Sequence, residues 1–192
     1  MVKKIAVTGG IGSGKSTVIN ILTDAGYKVL SCDKITAELY EKRRVKLLLK
    51  KMFPTAVKGY FFPQIDRKII SAAVFNDKEK LNALTSAITP LVMDEVERRC
   101  KKLSGIVFVE VPLLFECNYQ SRFDGVMVVM RDKESRIESI KTRSNLTKEE
   151  IVARMNSQVD YDAIDLSPFV IVKNDRDFLS LKNTVLSLAK SF

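Results

Sequence analysis

Short apolar runs alternate with longer amphipathic segments along the chain, and this alternation predicts strands separated by helices. Short apolar runs that predict strands occupy 5–8, 27–30, 106–109, 125–129 and 169–172. The runs over 106–109 and 125–129 are continuous, as expected for strands buried on both faces. Helical patterns occupy 16–25, 133–142, 147–157 and 178–189. The order predicts a doubly wound α/β fold, a three-layer sandwich around a five-stranded parallel sheet.

The segment 34–104 interrupts this alternation and predicts an inserted helical lobe. Within it we predict a basic amphipathic helix over 34–51 and a loop or hairpin-like connection over 54–63. A helix then opens at Asp66 and ends at Phe75, and a long helical stretch runs from Asp77 to about Lys102 with a break near Pro90. No Pro/Ser-rich linker separates these segments, so we expect a single domain over 1–192.

A glycine-rich segment lies between the first strand and the first helix. It matches G-x-x-x-x-G-K-S, continues into Thr17, and reads Gly9-Gly10-Ile11-Gly12-Ser13-Gly14-Lys15-Ser16. Such a loop turns backbone N–H groups toward phosphate oxygens, and the helix that follows adds its positive dipole end. We expect Lys15 to reach the β- and γ-phosphates and the Ser16 hydroxyl to bind Mg²⁺. The motif therefore predicts a P-loop NTPase type of fold that binds a nucleoside triphosphate.

Composition excludes several other kinds of chemistry. The chain has no histidine, which rules out Ser-His-Asp catalysis and His-ligated zinc. The three cysteines are widely spaced, which fits a reducing cytoplasm better than a disulfide framework. No apolar run is long enough for a signal peptide or a membrane span, so we expect a cytoplasmic protein without a membrane partner.

The residues alone leave the phosphate acceptor open. We find neither an N-K-x-D nor a D-x-x-G segment after a strand, which favours a small-molecule kinase over a GTPase switch. Asp33 follows the second strand and is either a base for the attacking hydroxyl or an N-cap before Lys34. Rival hypotheses are a kinase for another nucleotide or nucleoside, and a nucleic-acid-binding module that uses the basic 34–51 segment. The net charge of +9 suits nucleotides as well as nucleic acid, and basic helix faces are usually solvated, so we expect no nucleic-acid partner.

Three further segments, together with the phosphate loop, resemble the dephospho-coenzyme A kinase family. They are Val29-Leu30-x-x-Asp33, then Asp66-Arg67 with Val74-Phe75-Asn76-Asp77, and Val111-Pro112-Leu113-Leu114-Phe115-Glu116. The resemblance implies ATP-dependent phosphorylation of the ribose 3′-hydroxyl of dephospho-coenzyme A, the last step of coenzyme A synthesis. It also implies that Asp33 is the catalytic base and that Arg67 binds acceptor phosphates in the lobe. An alternative for Arg67 is a surface arginine paired with Glu or Asp.

The resemblance implies a lid over approximately 131–158, around Arg143, Asn145 and Arg154. Arg143 and Arg154 then bring positive charge to the transferred phosphoryl group and the substrate. The alternative is that both are solvated arginines on exposed helices without a role in binding. Glu110 is expected to orient Mg²⁺ through water, and Asn174 to lie near the adenine.

Glu116 is expected either to contact the acceptor or to pair with an arginine of the lobe. The chain departs from the family pattern at Ser31, where the family usually has the first Asp of D-x-D, and at Thr89, where it has His. We expect a monomer or a weak homo-oligomer.

Overall fold

The computed structural model describes residues 2–59, 62–75, 77–144 and 146–192. The chain divides into two compact units. One consists of Met1–Ser31 with Cys100–Phe192, and the other is Cys32–Arg99. The second unit overlaps the segment 34–104 that the sequence sets apart.

The elements alternate as the apolar pattern predicts. In chain order the strands are β1 (Val2–Thr8), β2 (Lys28–Ser31), β3 (Val57–Lys58), β4 (Gln64–Ile65), β5 (Gly105–Glu110), β6 (Gly125–Met130) and β7 (Val170–Lys173). The α-helices are α1 (Lys15–Asp24), α2 (Cys32–Tyr40), α3 (Arg43–Met52), α4 (Arg67–Phe75), α5 (Lys78–Cys100), α6 (Lys133–Lys141), α7 (Lys148–Asn156) and α8 (Phe178–Ala189). Short 3₁₀ turns occupy Pro54–Ala56 and Gln120–Arg122.

The first unit is built on a five-stranded parallel sheet in the order β2-β5-β1-β6-β7, which confirms the predicted fold class. Strand β1 is central, and the glycine-rich loop begins directly after it. Glu110 of β5 is level with both Val7 of β1 and Ser31 of β2. The carboxyl ends of three neighbouring strands therefore meet at one edge, where ligands of open α/β sheets bind.

Two apolar clusters hold the layers of this unit together. Helices α1 and α8 contact each other and pack with the sheet around fully buried residues such as Leu22, Phe108 and Val185. Helices α6 and α7 form a second cluster, which comprises Ile137, Ile140, Ile151 and Met155 and also contacts Ile11 of the glycine-rich loop. A capping box between Thr147 and Glu150 begins α7.

The second unit corrects two expectations. The basic segment forms two helices, α2 and α3, because the backbone at Lys42 is extended with φ −74° and ψ 129°. This break accompanies the burial of Val45 and Leu49 and places Lys46 2.9 Å from Glu41. Both halves are amphipathic, so periodicity alone did not reveal the break.

The expected interruption at Pro90 is also wrong, because α5 is continuous through it. Proline removes one backbone hydrogen bond, and burial of Ile88, Val92 and Val96 favours the helix on both sides. The connection predicted over 54–63 contains a 3₁₀ turn and the first strand of the antiparallel β3–β4 pair, and its residues 60 and 61 lie outside the described residues. Among the helices described here, none combines the length and apolar character needed to cross a membrane.

Candidate active site

The glycine-rich loop connects β1 to α1, which is the context that phosphate binding requires. Gly9 and Gly14 have backbone φ angles of +148° and +94°, which residues other than glycine rarely adopt. A Cβ on Gly9 would collide with the Val129 carbonyl, and one on Gly14 with the Asn174 amide. Both positions therefore need glycine for conformation and for space.

Lys15 is the first residue of α1, and its ammonium group lies over the loop. Its Nζ donates to the carbonyl oxygens of Gly9 at 2.7 Å and Gly10 at 3.0 Å. Ser16 follows in the first turn and is exposed, and this turn has no acidic side chain to oppose an anion. This helix terminus presents a lysine, a hydroxyl and the positive end of the helix dipole together.

A cavity of about 390 Å³ opens beside this helix terminus. The candidate residues among its walls are Ile11, Gly12, Gly14, Lys15, Ser16, Glu110, Arg143 and Arg154. Loop, strand end and the α6–α7 pair thus bring three cationic side chains and one carboxylate to the same space. This combination can bind a polyphosphate together with a divalent cation.

Glu110 ends β5 and is partly buried. The hydroxyl of Ser31 donates to its Oε2 at 2.9 Å, across the β2–β5 register. A carboxylate and the Ser16 hydroxyl are oxygen donors of the kind that Mg²⁺ prefers, and Mg²⁺ usually keeps several waters as well. No group of three or more Cys, Asp or Glu that could enclose a metal occurs in the described ranges.

The two arginines of the cavity are exposed and differ in how they are held. Arg143 follows α6, and its guanidinium donates to the Ser139 carbonyl at 2.9 Å and to the Ser139 hydroxyl at 2.7 Å. Arg154 lies in the last turn of α7. Asn145, which the sequence placed with them, lies outside the described residues.

Asn174 follows β7 and contacts the glycine-rich loop directly. Its Nδ2 donates to the carbonyl of Ser13 at 2.8 Å, and its backbone N–H donates to Met130 at the same distance. The side chain therefore supports the loop from the side of β7.

Glu116 supports the segment that follows α7. Its Oε1 accepts from the N–H of Val159 at 3.1 Å, so the partner found is a backbone group. In the same segment, Tyr161 is buried with its hydroxyl 3.2 Å from that of Thr8. Burial raises the pKa of Tyr161 above its usual value, although the hydrogen bond to Thr8 opposes the shift.

In the second unit, the two candidates lie on different helices. Asp33 is exposed in the first turn of α2, two residues after Ser31 along the chain. The helix begins at Cys32, so Asp33 is inside the first turn rather than preceding it as an N-cap.

Arg67 begins α4 and has only weak restraints. Its Nη2 donates to the Ala37 carbonyl at 3.2 Å and lies 3.7 Å from Glu41, while the guanidinium lies over the Tyr40 ring. Burial raises the pKa of Tyr40, against the positive charge of Arg67. A shallow cavity of about 520 Å³ is lined by Arg67, Lys68, Ser71, Ala72 and Phe75. An exposed pair at such a distance contributes little to stability, so Arg67 remains available to a ligand.

Comparison with known proteins identifies the family. A family model described as dephospho-CoA kinase matches residues 3–179. A dephospho-CoA kinase of Thermus thermophilus is 39% identical over 159 residues, which cover 81% of this chain and 74% of that protein. The chain belongs to the dephospho-CoA kinase family.

Solved structures agree with this membership. A crystal structure of a Thermus thermophilus protein has a TM-score of 0.86 at 33% identity, covering 98% of this chain and 96% of that chain. Dephospho-CoA kinase from Campylobacter jejuni has a TM-score of 0.71 at 27% identity, covering 100% and 97%. The resemblance seen in the sequence is confirmed, and the chain is an ATP-dependent kinase for the last step of coenzyme A biosynthesis.

Sequence reasoning missed three residues that surround the loop of this dephospho-CoA kinase: Arg136, Gln158 and Tyr161. Each contacts a residue of the segment Thr8–Ile11. Arg136 is one of several basic residues on a helix, and the other two stand in an irregular segment. No motif marked them.

Proposed function

We propose that the cavity beside α1 binds Mg-ATP and that this chain transfers its γ-phosphoryl group to the ribose 3′-hydroxyl of dephospho-CoA. The observation that carries the proposal is the convergence of Lys15, Ser16, Glu110, Arg143 and Arg154 on one cavity. Phosphoryl transfer depends mainly on positioning and on charge neutralisation, and these are the groups that supply both.

Lys15 and the two arginines serve the phosphoryl group. A phosphate oxygen competes with the carbonyls of Gly9 and Gly10 for the Lys15 ammonium, whose charge favours the phosphate. Arg143 and Arg154 neutralise charge that develops on the transferred group, and closure of a lid over 131–158 brings them to it. Asn174 supports the loop and borders the nucleotide near its adenine.

Ser16 and Glu110 serve the cation. The Ser16 hydroxyl binds Mg²⁺ directly, Glu110 binds it through water, and the hydrogen bond from Ser31 fixes the carboxylate. When bound, Mg²⁺ neutralises negative charge between the β- and γ-phosphates.

The Cys32–Arg99 unit serves the acceptor. Asp33 accepts the proton of the attacking 3′-hydroxyl, and Arg67 binds acceptor phosphates at the cavity it shares with Lys68 and Phe75. Glu116 acts indirectly, through the Val159 backbone. The protein works in the cytoplasm as a monomer or a weak homo-oligomer.

The test is coupled ADP release with Mg-ATP and dephospho-CoA, followed by mass spectrometry to locate the added phosphate. Asp33→Asn should lower kcat about a thousandfold because the base is lost, while the Kd for ATP stays unchanged. Asp24→Asn removes an exposed carboxylate at the end of α1 and is the matched control. Full activity of Asp33→Asn would overturn the role of the base.

The same assay separates the rival acceptors. Adenosine, AMP and cytidine monophosphate replace dephospho-CoA at equal concentration. We expect turnover on dephospho-CoA to exceed the others by at least about a hundredfold, because only this acceptor carries a second phosphate for the lobe to bind. Equal turnover on AMP would point to a nucleotide kinase instead.

A further inference from the structure

Ile11 is held by three separate contacts that all come from the α6–α7 region. Its N–H donates to Oε1 of Gln158 at 2.6 Å, and its carbonyl accepts from Nε of Arg136 at 2.9 Å. Its side chain packs against the apolar cluster of α6 and α7. Both backbone polar groups and the side chain of this one loop residue are therefore engaged.

The side chain of Arg136 packs directly against the glycine-rich loop. A Cβ on Gly10 would collide with its Nη2, so the guanidinium lies directly on the Gly10 backbone. Burial lowers the pKa of Arg136, and the negative charges of Asp162 and Asp160 oppose that shift. Partial burial removes water from this guanidinium, and its hydrogen bond to the loop backbone replaces part of that hydration. The side chain is therefore held in one position, as a residue that supports the backbone needs to be.

We propose that Arg136 and Gln158 are positioning residues that fix the phosphate loop through the two peptide groups of Ile11. The proposal rests on the proposed function, in which this loop binds the phosphates of ATP. Because the N–H of Ile11 is already donated to Gln158, the phosphates bind to amides further along the loop, toward α1. The side chains act on ATP through the loop backbone and do not touch the reacting atoms.

The first test measures the Ile11 amide itself. In ¹⁵N-labelled protein, Gln158→Leu should speed hydrogen exchange at the Ile11 N–H about tenfold because its acceptor is removed. Gln158→Glu keeps an acceptor oxygen and should leave this exchange slow. The amide of Val18, which donates to Gly14 at 3.1 Å, is the internal control and should not change.

The second test measures nucleotide affinity. Arg136→Ala and Gln158→Leu should each raise the Kd and KM for ATP about tenfold, with an unchanged KM for dephospho-CoA and an unchanged thermal midpoint. Lys141→Ala removes the same charge from an exposed position of α6 and should retain the affinity of the unmodified protein.

Two results would overturn the proposal. One is that Gln158→Leu leaves both Ile11 exchange and ATP affinity unchanged, and the other is that Gln158→Glu speeds exchange as much as Gln158→Leu. Lys15→Ala is measured in parallel. If ATP binding is lost in Lys15→Ala but is normal in the Arg136 and Gln158 variants, the proposed function stands and the positioning role is rejected. Unchanged ATP binding in Lys15→Ala would reject the proposed function itself.

Discussion

The phosphate loop and the acceptor candidates of the Cys32–Arg99 unit are held in opposite ways. Around the loop, side chains bind backbone groups: Asn174 binds the Ser13 carbonyl, and Gln158 and Arg136 bind Ile11. In the other unit, the Arg67 side chain is 54% exposed, and its nearest carboxylate is 3.7 Å away. Hydrogen bonds with neighbouring side chains thus restrain the backbone of the loop, whereas few contacts restrain the side chain of Arg67.

This difference suits the two substrates. A triphosphate gains most from amides and charges that are already oriented, since reorienting them on binding costs free energy. A long, flexible acceptor tolerates side chains that adjust to it. Variants of the loop should therefore affect both binding and chemistry, and variants of the lobe should mainly affect acceptor binding.

Among these tests, we expect the largest effect from substitution of Lys15 in the phosphate loop. Lys15→Ala should lower kcat/KM about a thousandfold, because the ammonium group next to the transferred phosphate is lost. Steady-state kinetics and ATP titration measure the effect. Lys4→Ala, which removes a lysine from β1, controls for the change in net charge. A loss smaller than about tenfold would contradict the proposed function, which places Lys15 at the transferred phosphate.

The next largest effects come from one arginine substitution in each of the two regions. Arg143→Ala should lower kcat about a hundredfold, whereas Arg67→Ala should raise the KM for dephospho-CoA about tenfold with little change in kcat. Initial rates with each substrate varied separate the two effects. Arg44→Ala, an exposed arginine of α3, is the control for the lobe. If Arg67→Ala lowered kcat with KM unchanged, the distinction between the regions would fail.

The bond between Ser31 and Glu110 offers a smaller effect within the first unit. Ser31→Ala frees the carboxylate to rotate and should raise the Mg²⁺ concentration for half-maximal activity about threefold, because the hydroxyl that orients Glu110 is lost. Ser31→Asp should lower that concentration, because it adds a second negative charge. Binding of Mn²⁺ to the enzyme–ADP complex, followed by electron paramagnetic resonance, checks the same order without turnover. Identical metal affinities in all three proteins would contradict the proposed role of Glu110.

The smallest expected effect concerns the stability of the second unit. Hydrogen bonds from Arg98 and then Arg99 lower the pKa of Glu95 from 4.5 to about 2. Because the folded-state pKa is depressed, the stabilisation is complete above pH 4.5 and is lost as the pH falls toward 2. Urea unfolding across that window should show a loss of about 1 kcal/mol or less that Glu95→Gln lacks. An equal pH dependence in both proteins would assign the loss to other carboxylates.

The fold was predictable because its determinants are local. Short apolar runs rich in β-branched residues stand out from the polar segments around them, and the phosphate loop lies where a strand meets a helix, so α8 and all five parallel strands were found close to their observed bounds. The break at Lys42 and the continuity through Pro90 were not predictable, since both depend on which side chains become buried once the unit has folded.

The same difference between local and non-local determinants applies to the residues of the candidate site. Lys15, Ser16 and Glu110 stand at strand ends or in a motif, and the structure brings them to one cavity. Arg136 and Gln158 bind backbone atoms more than a hundred residues away along the chain, and such a contact leaves no periodicity or spacing to read.

The strand order has a consequence for how such enzymes diversify. The chain leaves the sheet at the end of β2 and returns to it in β5, and these two strands are direct neighbours. The whole Cys32–Arg99 unit is thus a single oversized crossover connection. A connection of this kind can be lengthened, shortened or exchanged while the pairing of the strands stays the same, since loop-closure entropy rises slowly with length. If this unit binds the acceptor as proposed, a change in the connection would alter the acceptor specificity while the phosphate-binding site stays the same.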